Sequence, residues 1–405
     1  MVARETTAVP TPKDSMSAFP PFSFIARAHS ASGIKVRITD SLPQRVPQVI
    51  KDTYGPKIDK AKSFINDTWK VNTRFTTHRT ITGRTVLDVN VRPSTYGGFY
   101  ALGRTDMRPD VLDLVRHAGA SASWITKDNM IMFQFRSNQN KSFPEWFGSG
   151  ASGSVDGRVN GQTEPGDWNK DGTKLDPISP YEFRRTAIRE TKEETGLKPD
   201  WWHPTGRLKL MGVLRTTTQK PIDEFVFVGY TSKTSEQIIA KQNKALAKNG
   251  DTHESPIDKI GFIEASPQAI EALTTQVDSP LIPTALGTML LTGYYLTFKE
   301  AYRQQPLLSR RRKHAQQVAR EWLDRVSNQA FIHYAELEAR AREYNATFNA
   351  NRPPGSRKRL EELDPWFTPE EQNLKSGEEA MKEAGLYFRR DGRVHGERQF
   401  TKSRR

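Results

Sequence analysis

"RETKEETGL", Arg189 to Leu197, is the stretch on which the reading of this chain turns. On a helix at about 100° per residue, Glu193 falls about 60° to one side of Glu190 and Glu194 about 40° to the other. The three carboxylates therefore share one arc of roughly 100°. Like charges that close repel one another unless a cation stands between them. A hard divalent ion such as Mg²⁺ takes such oxygens and completes its shell with phosphate oxygens and water. A solvated acidic helix face would carry the same pattern. Two neighbours favour the first reading: Arg189 can fix a carboxylate by bidentate pairing, and Gly196 suits the left-handed turn that ends a helix.

Upstream, "SASWIT" and "MIMFQFRS" read as two strands joined by the turn "KDN". They lead into "GSGASGSVDG", read as a glycine-rich turn whose backbone N–H groups phosphates can approach. A polar insertion, "RVNGQTEPGDWNKDGTKLD", precedes a helix over about 180–195. Strands in "RLKLMGVLRTT" and "DEFVFVGYT" follow, then helices in "SPQAIEALTT" and over 284–300. This order predicts an α/β fold, a sheet packed between helices.

The motif R-E-x-x-E-E-x-G with a following apolar residue resembles the second half of the Nudix box. The resemblance extends over roughly 118–300: a strand before the glycine loop "ASGSVDG", two strands after the helix, and "HESPIDKIGFIEASPQAIEAL" as a closing loop and helix. It implies a Nudix-like α/β/α sandwich with a mixed sheet. It also implies a hydrolase, dependent on Mg²⁺ or Mn²⁺, that cleaves a nucleoside diphosphate linked to another moiety: a nucleotide sugar, a dinucleotide or an RNA 5′ end. By position, Glu190, Glu193 and Glu194 match the family's metal-binding carboxylates, Gly153 of the glycine loop joins that metal set, and Arg189 matches the arginine that orients them. One of the carboxylates, or a loop glutamate such as Glu254 in "DTHESP", would take the proton of the attacking water; a turn-capping role is the alternative for Glu254. Trp201 and Trp202 are candidates to stack a nucleobase, with ordinary packing as their alternative.

The chain departs from the family pattern in four places. Tyr181 stands where a glutamate is usual, eight residues before the arginine. Glu182 is one residue out of register and fits a capping box with Ser179 and Pro180 instead. A long stretch separates Gly153 from the helix, and Thr191 stands where an aliphatic residue is usual. Glu224, at the start of "EFVFVGY", is a candidate to face the same cleft, with placement at the surface as the favoured expectation. These departures motivate the alternative function, a non-catalytic or weakly active Nudix-fold subunit that binds RNA within a ribonucleoprotein assembly.

Composition narrows the classes further. With no cysteine among 405 residues, disulfides and thiolate zinc sites are excluded. No H-x-x-E-H, H-E-x-x-H, G-K-[ST] or G-x-S-x-G pattern occurs. No run of about 18 apolar residues exists to span a membrane. "PLIPTALGTMLLTGYYLTF" reads as a buried helix, and without a signal core at the start the expected location is cytoplasmic.

The net charge of +14 lies at the ends: 17 Lys/Arg against 10 Asp/Glu in 1–115, 22 against 22 in 116–300, and 22 against 15 in 301–405. Basic flanks suit a polyanion such as RNA, though a solvated surface would look the same. The expected organisation is a disordered 1–22, then an α+β segment over 23–115 with strands "GIKVRI" and "TVLDVNV" around a helix near 45–68. A Nudix-like catalytic domain follows over 116–300, and a basic helical extension over 301–405 ends in a mobile tail. Val318, Trp322, Val326 and Phe331 form an apolar stripe in that extension, for packing on the core or a partner.

Overall fold

The structure is a computed structural model. It describes residues 20–28, 33–43, 52, 55–56, 59–60, 67–81, 84–98, 116–136, 143–165, 172–195, 197, 208–216, 222–248, 259–350, 367–375, 377–384 and 386. The expected helix near 45–68 and the C-terminal tail lie largely outside these residues.

The protein is mixed α/β. Eleven strands among the described residues form two sheets: β1 (Phe22–Arg27), β2 (Ile34–Ser41), β3 (Trp69–Ile81), β4 (Arg84–Thr95), β5 (His117–Ile125), β6 (Met130–Phe135), β7 (Phe147–Gly148), β8 (Ala151–Ser154), β9 (Lys209–Thr216), β10 (Ile222–Tyr230) and β11 (Lys259–Glu264). The larger sheet runs β1-β9-β10-β5-β6-β11, with β8 also paired to β5 and β7 to β6. It is mixed, because β10 and β5 run parallel while the other pairs are antiparallel. The smaller sheet has the order β2-β4-β3. The first strand, β1, is the edge of the larger sheet beside β9, so residues of the N-terminal stretch share a sheet with the centre of the chain.

The helices with defined bounds among the described residues are α1 (Tyr181–Thr195), α2 (Ser235–Lys248), α3 (Pro267–Thr275), α4 (Pro283–Gln304), α5 (Leu308–Ala350) and α6 (Gly377–Glu383). Strand alternation sends side chains to opposite faces of the sheet, and each face has its own core. On one face Ala118, Ala120, Ala122 and Trp124 of β5 pack with Phe183 and Ala187 of α1 and Ile238 and Ile239 of α2. Phe183 stacks on Phe225 of β10 at 3.9 Å. Burying a side chain of this size contributes about 1.5–3 kcal/mol. On the other face, Val226 and Val228 of β10 pack with α3, α4 and the apolar side of α5.

The small residues of β5 serve that second face too. Ser121 and Thr288 of α4 share a 2.9 Å hydrogen bond between their hydroxyls, deep in the protein. Helix α5 lies behind α4, where Gly293 leaves space for the Trp322 indole: a Cβ at Gly293 would come within 2.0 Å of the ring. Trp322 and Val326 are buried and Val318 and Phe331 half-buried, so the apolar stripe faces the core. Phe331 meets Phe22 of β1 edge-on at 5.1 Å, and Arg27 pairs with Asp324 at 3.0 Å. The last long helix is thereby fastened to the first strand. No helix among the described residues is long and apolar enough to cross a membrane.

A buried carboxylate of the large sheet, paired within that sheet, also takes a hydrogen bond from the small one. Asp223 of β10, fully buried, accepts from Arg215 Nε and Nη2 at 2.8 and 2.9 Å and from Thr73 Oγ1 of β3 at 2.9 Å.

The polar insertion is ordered where described. Val159 and Gln162 pair across a turn whose Asn160 and Gly161 have positive φ, and both of their N–H groups donate to Asp176. Leu175 of the same stretch is buried.

Candidate functional site

The helix that carries the carboxylates forms where its sequence predicts. Ser179 Oγ accepts the Tyr181 N–H at 3.3 Å, and Pro180 precedes the first full turn. Glu182 does not complete the capping box. Its carboxylate accepts from Arg185 Nη1 at 2.6 Å, an i,i+3 pair on the exposed side of the helix. Tyr181 is 67% exposed and stands clear of the acidic cluster.

The glycine-rich stretch upstream is a strand rather than a loop. β8 pairs with β5 through Gly119–Ser154, Ala120–Gly153, Ser121–Ser152 and Ala122–Ala151. Helix α1 crosses this strand, and three consecutive residues of β8 are met in turn. The Ser152 N–H donates to Glu194 Oε2 at 3.0 Å. The Glu190 carboxylate lies directly on Gly153, where a Cβ would stand 2.1 Å from its carboxyl carbon. Arg189 Nη2 donates to the Ser154 carbonyl at 3.4 Å. The glycine at 153 is thus required by a carboxylate that occupies the place of its side chain.

Arg189 is the hub of the charges. Its guanidinium lies 2.7 Å from Glu190 Oε1, 3.2 Å from Glu193 Oε2 and 3.1 Å from Asp156 Oδ2. Burial opposes its charge, but Glu190, Asp156 and Glu193 together hold its pKa above the ordinary arginine value. Asp156 also pairs with Lys70 of β3. Glu194 accepts from Gln134 Nε2 of β6 at 3.0 Å. Burial pushes the Glu190 pKa up to about 7; Arg189 opposes the rise, and the neighbouring charges of Glu193 and Asp156 add to it.

Arg189, Glu190, Glu193, Glu194 and Gly153 are therefore brought together by one helix and one strand. Asp156 belongs to the same cluster and was not anticipated, because it lies in sequence far from the helix with no local pattern to mark it. Glu224 corrects an expectation. It is 3% exposed rather than at the surface, with its carboxylate over Gly119 on the face of the sheet away from α1. Burial pushes its pKa up to about 8, with a hydrogen bond from Ser121 opposing the rise. Glu254, Trp201, Trp202 and Gly196 lie outside the described residues.

The donor set fits a hard divalent cation in kind: carboxylate oxygens, one of them cradled on a glycine, and no soft ligand. As the side chains stand, Glu193 is held by Arg189 and Glu194 by Gln134 and Ser152. Among the described residues no group of three or more His, Cys, Asp or Glu could hold a metal ion as placed. Taking up a cation would need rotation of these side chains about their own rotamers. No protein-family model matches the chain, and no curated protein matches it.

Proposed function

We propose that the chain is a Nudix-type hydrolase that cleaves a diphosphate bond in a nucleoside diphosphate derivative, on a Nudix-like α/β/α sandwich. The observation that carries this reading is the Glu190 carboxylate set on Gly153, with Arg189 bridging Glu190, Glu193 and Asp156. A solvated acidic helix face has no reason to bury one carboxylate on a glycine and surround it with two more acids.

Glu190, Glu193 and Glu194 would hold Mg²⁺ or Mn²⁺. When bound, such an ion supplies a Lewis acid that offsets phosphoryl charge and lowers the pKa of water. Arg189 pairs with Glu190 and Glu193 and holds them on one side of the helix, from which they would turn to reach the ion. Glu193 has the most exposed side chain of Glu190, Arg189 and Glu193, at 54%. One of the cluster's carboxylates, or a loop glutamate such as Glu254, would take the proton of the attacking water.

A second reading, an RNA-binding or assembly subunit with little or no catalysis, is favoured by the exposed Tyr181 and by carboxylates engaged with protein partners. Calorimetric titration of Mn²⁺ into wild type and Glu193→Gln separates the two. Binding that disappears in the variant supports the hydrolase. No binding to the wild type, together with RNA that co-purifies through high salt, supports the assembly subunit.

A further inference from the structure

The turn between α4 and α5 gathers apolar and cationic side chains that the carboxylate site does not use. Three of the six exposed large hydrophobic residues among those described are here: Tyr302 at 41%, Leu307 at 52% and Leu308 at 76%. Residues 302–320 hold six Lys/Arg and no Asp or Glu. Arg303, Arg310, Arg312 and Lys313 are exposed around the leucines.

The elbow is built rather than loose. Arg311 Nε donates to the Gln305 carbonyl at 2.6 Å, and its guanidinium stands 6.0 Å from the centre of the Tyr302 ring. The Gln305 N–H closes α4 on the Ala301 carbonyl, and the Leu307 N–H donates to Gln305 Oε1 at 3.3 Å. The leucines are thus held outward at the tip of a helical hairpin whose base is packed in the core.

We propose that this elbow is a peripheral docking site for an anionic lipid bilayer. Leu307 and Leu308 enter the headgroup boundary, and Arg303, Arg310, Arg312 and Lys313 lie against lipid phosphate and carboxylate groups. The long basic side chains can lay their methylene stems along the apolar boundary while their charges stay with the headgroups. The charge alone would serve a nucleic acid equally well. A phosphate backbone offers nothing to two protruding leucines, however, whereas a bilayer takes both features at once. The inference is independent of the hydrolase reading.

The test is sedimentation of the full chain with vesicles of phosphatidylcholine, with and without phosphatidylserine. The protein is expected to pellet with the anionic vesicles, to stay in solution with the neutral ones, and to release as salt is raised. Leu307→Ser combined with Leu308→Ser should weaken partitioning roughly tenfold, as should Arg310→Glu with Lys313→Glu, with unchanged circular dichroism. Equal binding to both vesicles, no binding to either, or full binding by the leucine double variant would overturn the proposal. Binding of the wild type to RNA but not to vesicles, unaltered by the leucine changes, would mark the elbow as a polyanion site instead. Because the chain has no cysteine, Leu308→Cys accepts a single environment-sensitive fluorophore. A blue shift on anionic vesicles is expected, and an unshifted spectrum contradicts insertion.

Discussion

The indole Nε1–H of Trp124, in the central strand β5, donates a 2.9 Å hydrogen bond to Thr191 Oγ1 in the middle of α1. That hydroxyl donates on to the Ala187 carbonyl at 2.7 Å, and both side chains are fully buried. The threonine therefore has a structural reason to stand where the Nudix pattern has an aliphatic residue. It locks the rotation of α1 about its axis, which sets the direction of Glu190, its neighbour. Thr191→Val keeps the shape but removes the acceptor from a buried N–H, at an expected cost of about 1–3 kcal/mol. Urea unfolding monitored by fluorescence reads this directly; a variant as stable as wild type would show that the bond holds nothing in place.

Glu224 predicts a pH dependence. Its Oε1 is buried with no hydrogen-bond partner, and burial raises its pKa to about 8. The folded chain thus keeps this proton to about pH 8, while the unfolded chain releases it near the ordinary value of 4.5. Between those limits the native state binds more protons, so its stability falls as pH rises. Glu224→Gln should reduce that slope to the part that Glu190 contributes below about pH 7, and be more stable than wild type above pH 8 by on the order of 5 kcal/mol at most. Thermal unfolding of both across this range, with a chelator present, checks it; parallel curves would contradict the assignment.

Asp223 should be costly to remove. Losing one partner of a buried pair leaves charge in a poor solvent, and Asp223→Ala is expected to cost about 3 kcal/mol. The loss should appear in denaturant midpoints. A change under half that size would mean that Arg215 and the buried Arg116, 3.7 Å from Asp223, lose the carboxylate without penalty.

Gly153→Ala separates the site from the fold. The added Cβ meets only the end of a flexible glutamate, so the chain should fold with near-normal circular dichroism. The Glu190 carboxylate must move away, and Mn²⁺ affinity measured by calorimetry should fall at least about tenfold, as for other disturbed ligand shells. Unchanged affinity would remove the glycine cradle from the proposed site.

Much of the frame was legible because its signals are local. β6, β9 and β10 are bounded apolar runs, the second half of β5 ends at the turn "KDN", and α1 has its cap at Ser179 and its charges on one arc. The strand β8 was not legible, since "ASGS" has the composition of a turn; its small residues reflect what α1 lays upon it. Burial of Glu224 was hidden for a similar reason, because its space comes from Gly119 on the neighbouring strand. The packing of α5 was only half visible. Its core-facing side is lined by Ala315, Ala319 and Ala330 as well as Trp322 and Val326, and alanines give little apolar contrast to read. Asp156 reaches Arg189 only through the register of β8 beyond its last paired residue, which no spacing rule encodes.

Phosphorus NMR of the purified chain with Mg²⁺ and a panel of nucleotide sugars, dinucleotides and capped or diphosphorylated RNA 5′ ends tests the central claim most directly. The account predicts that at least one member is split into phosphomonoester products, that a chelator stops the reaction, and that Glu193→Gln and Glu194→Gln lose it while remaining folded. No cleavage of any member, or cleavage at wild-type rate by both variants, would contradict it.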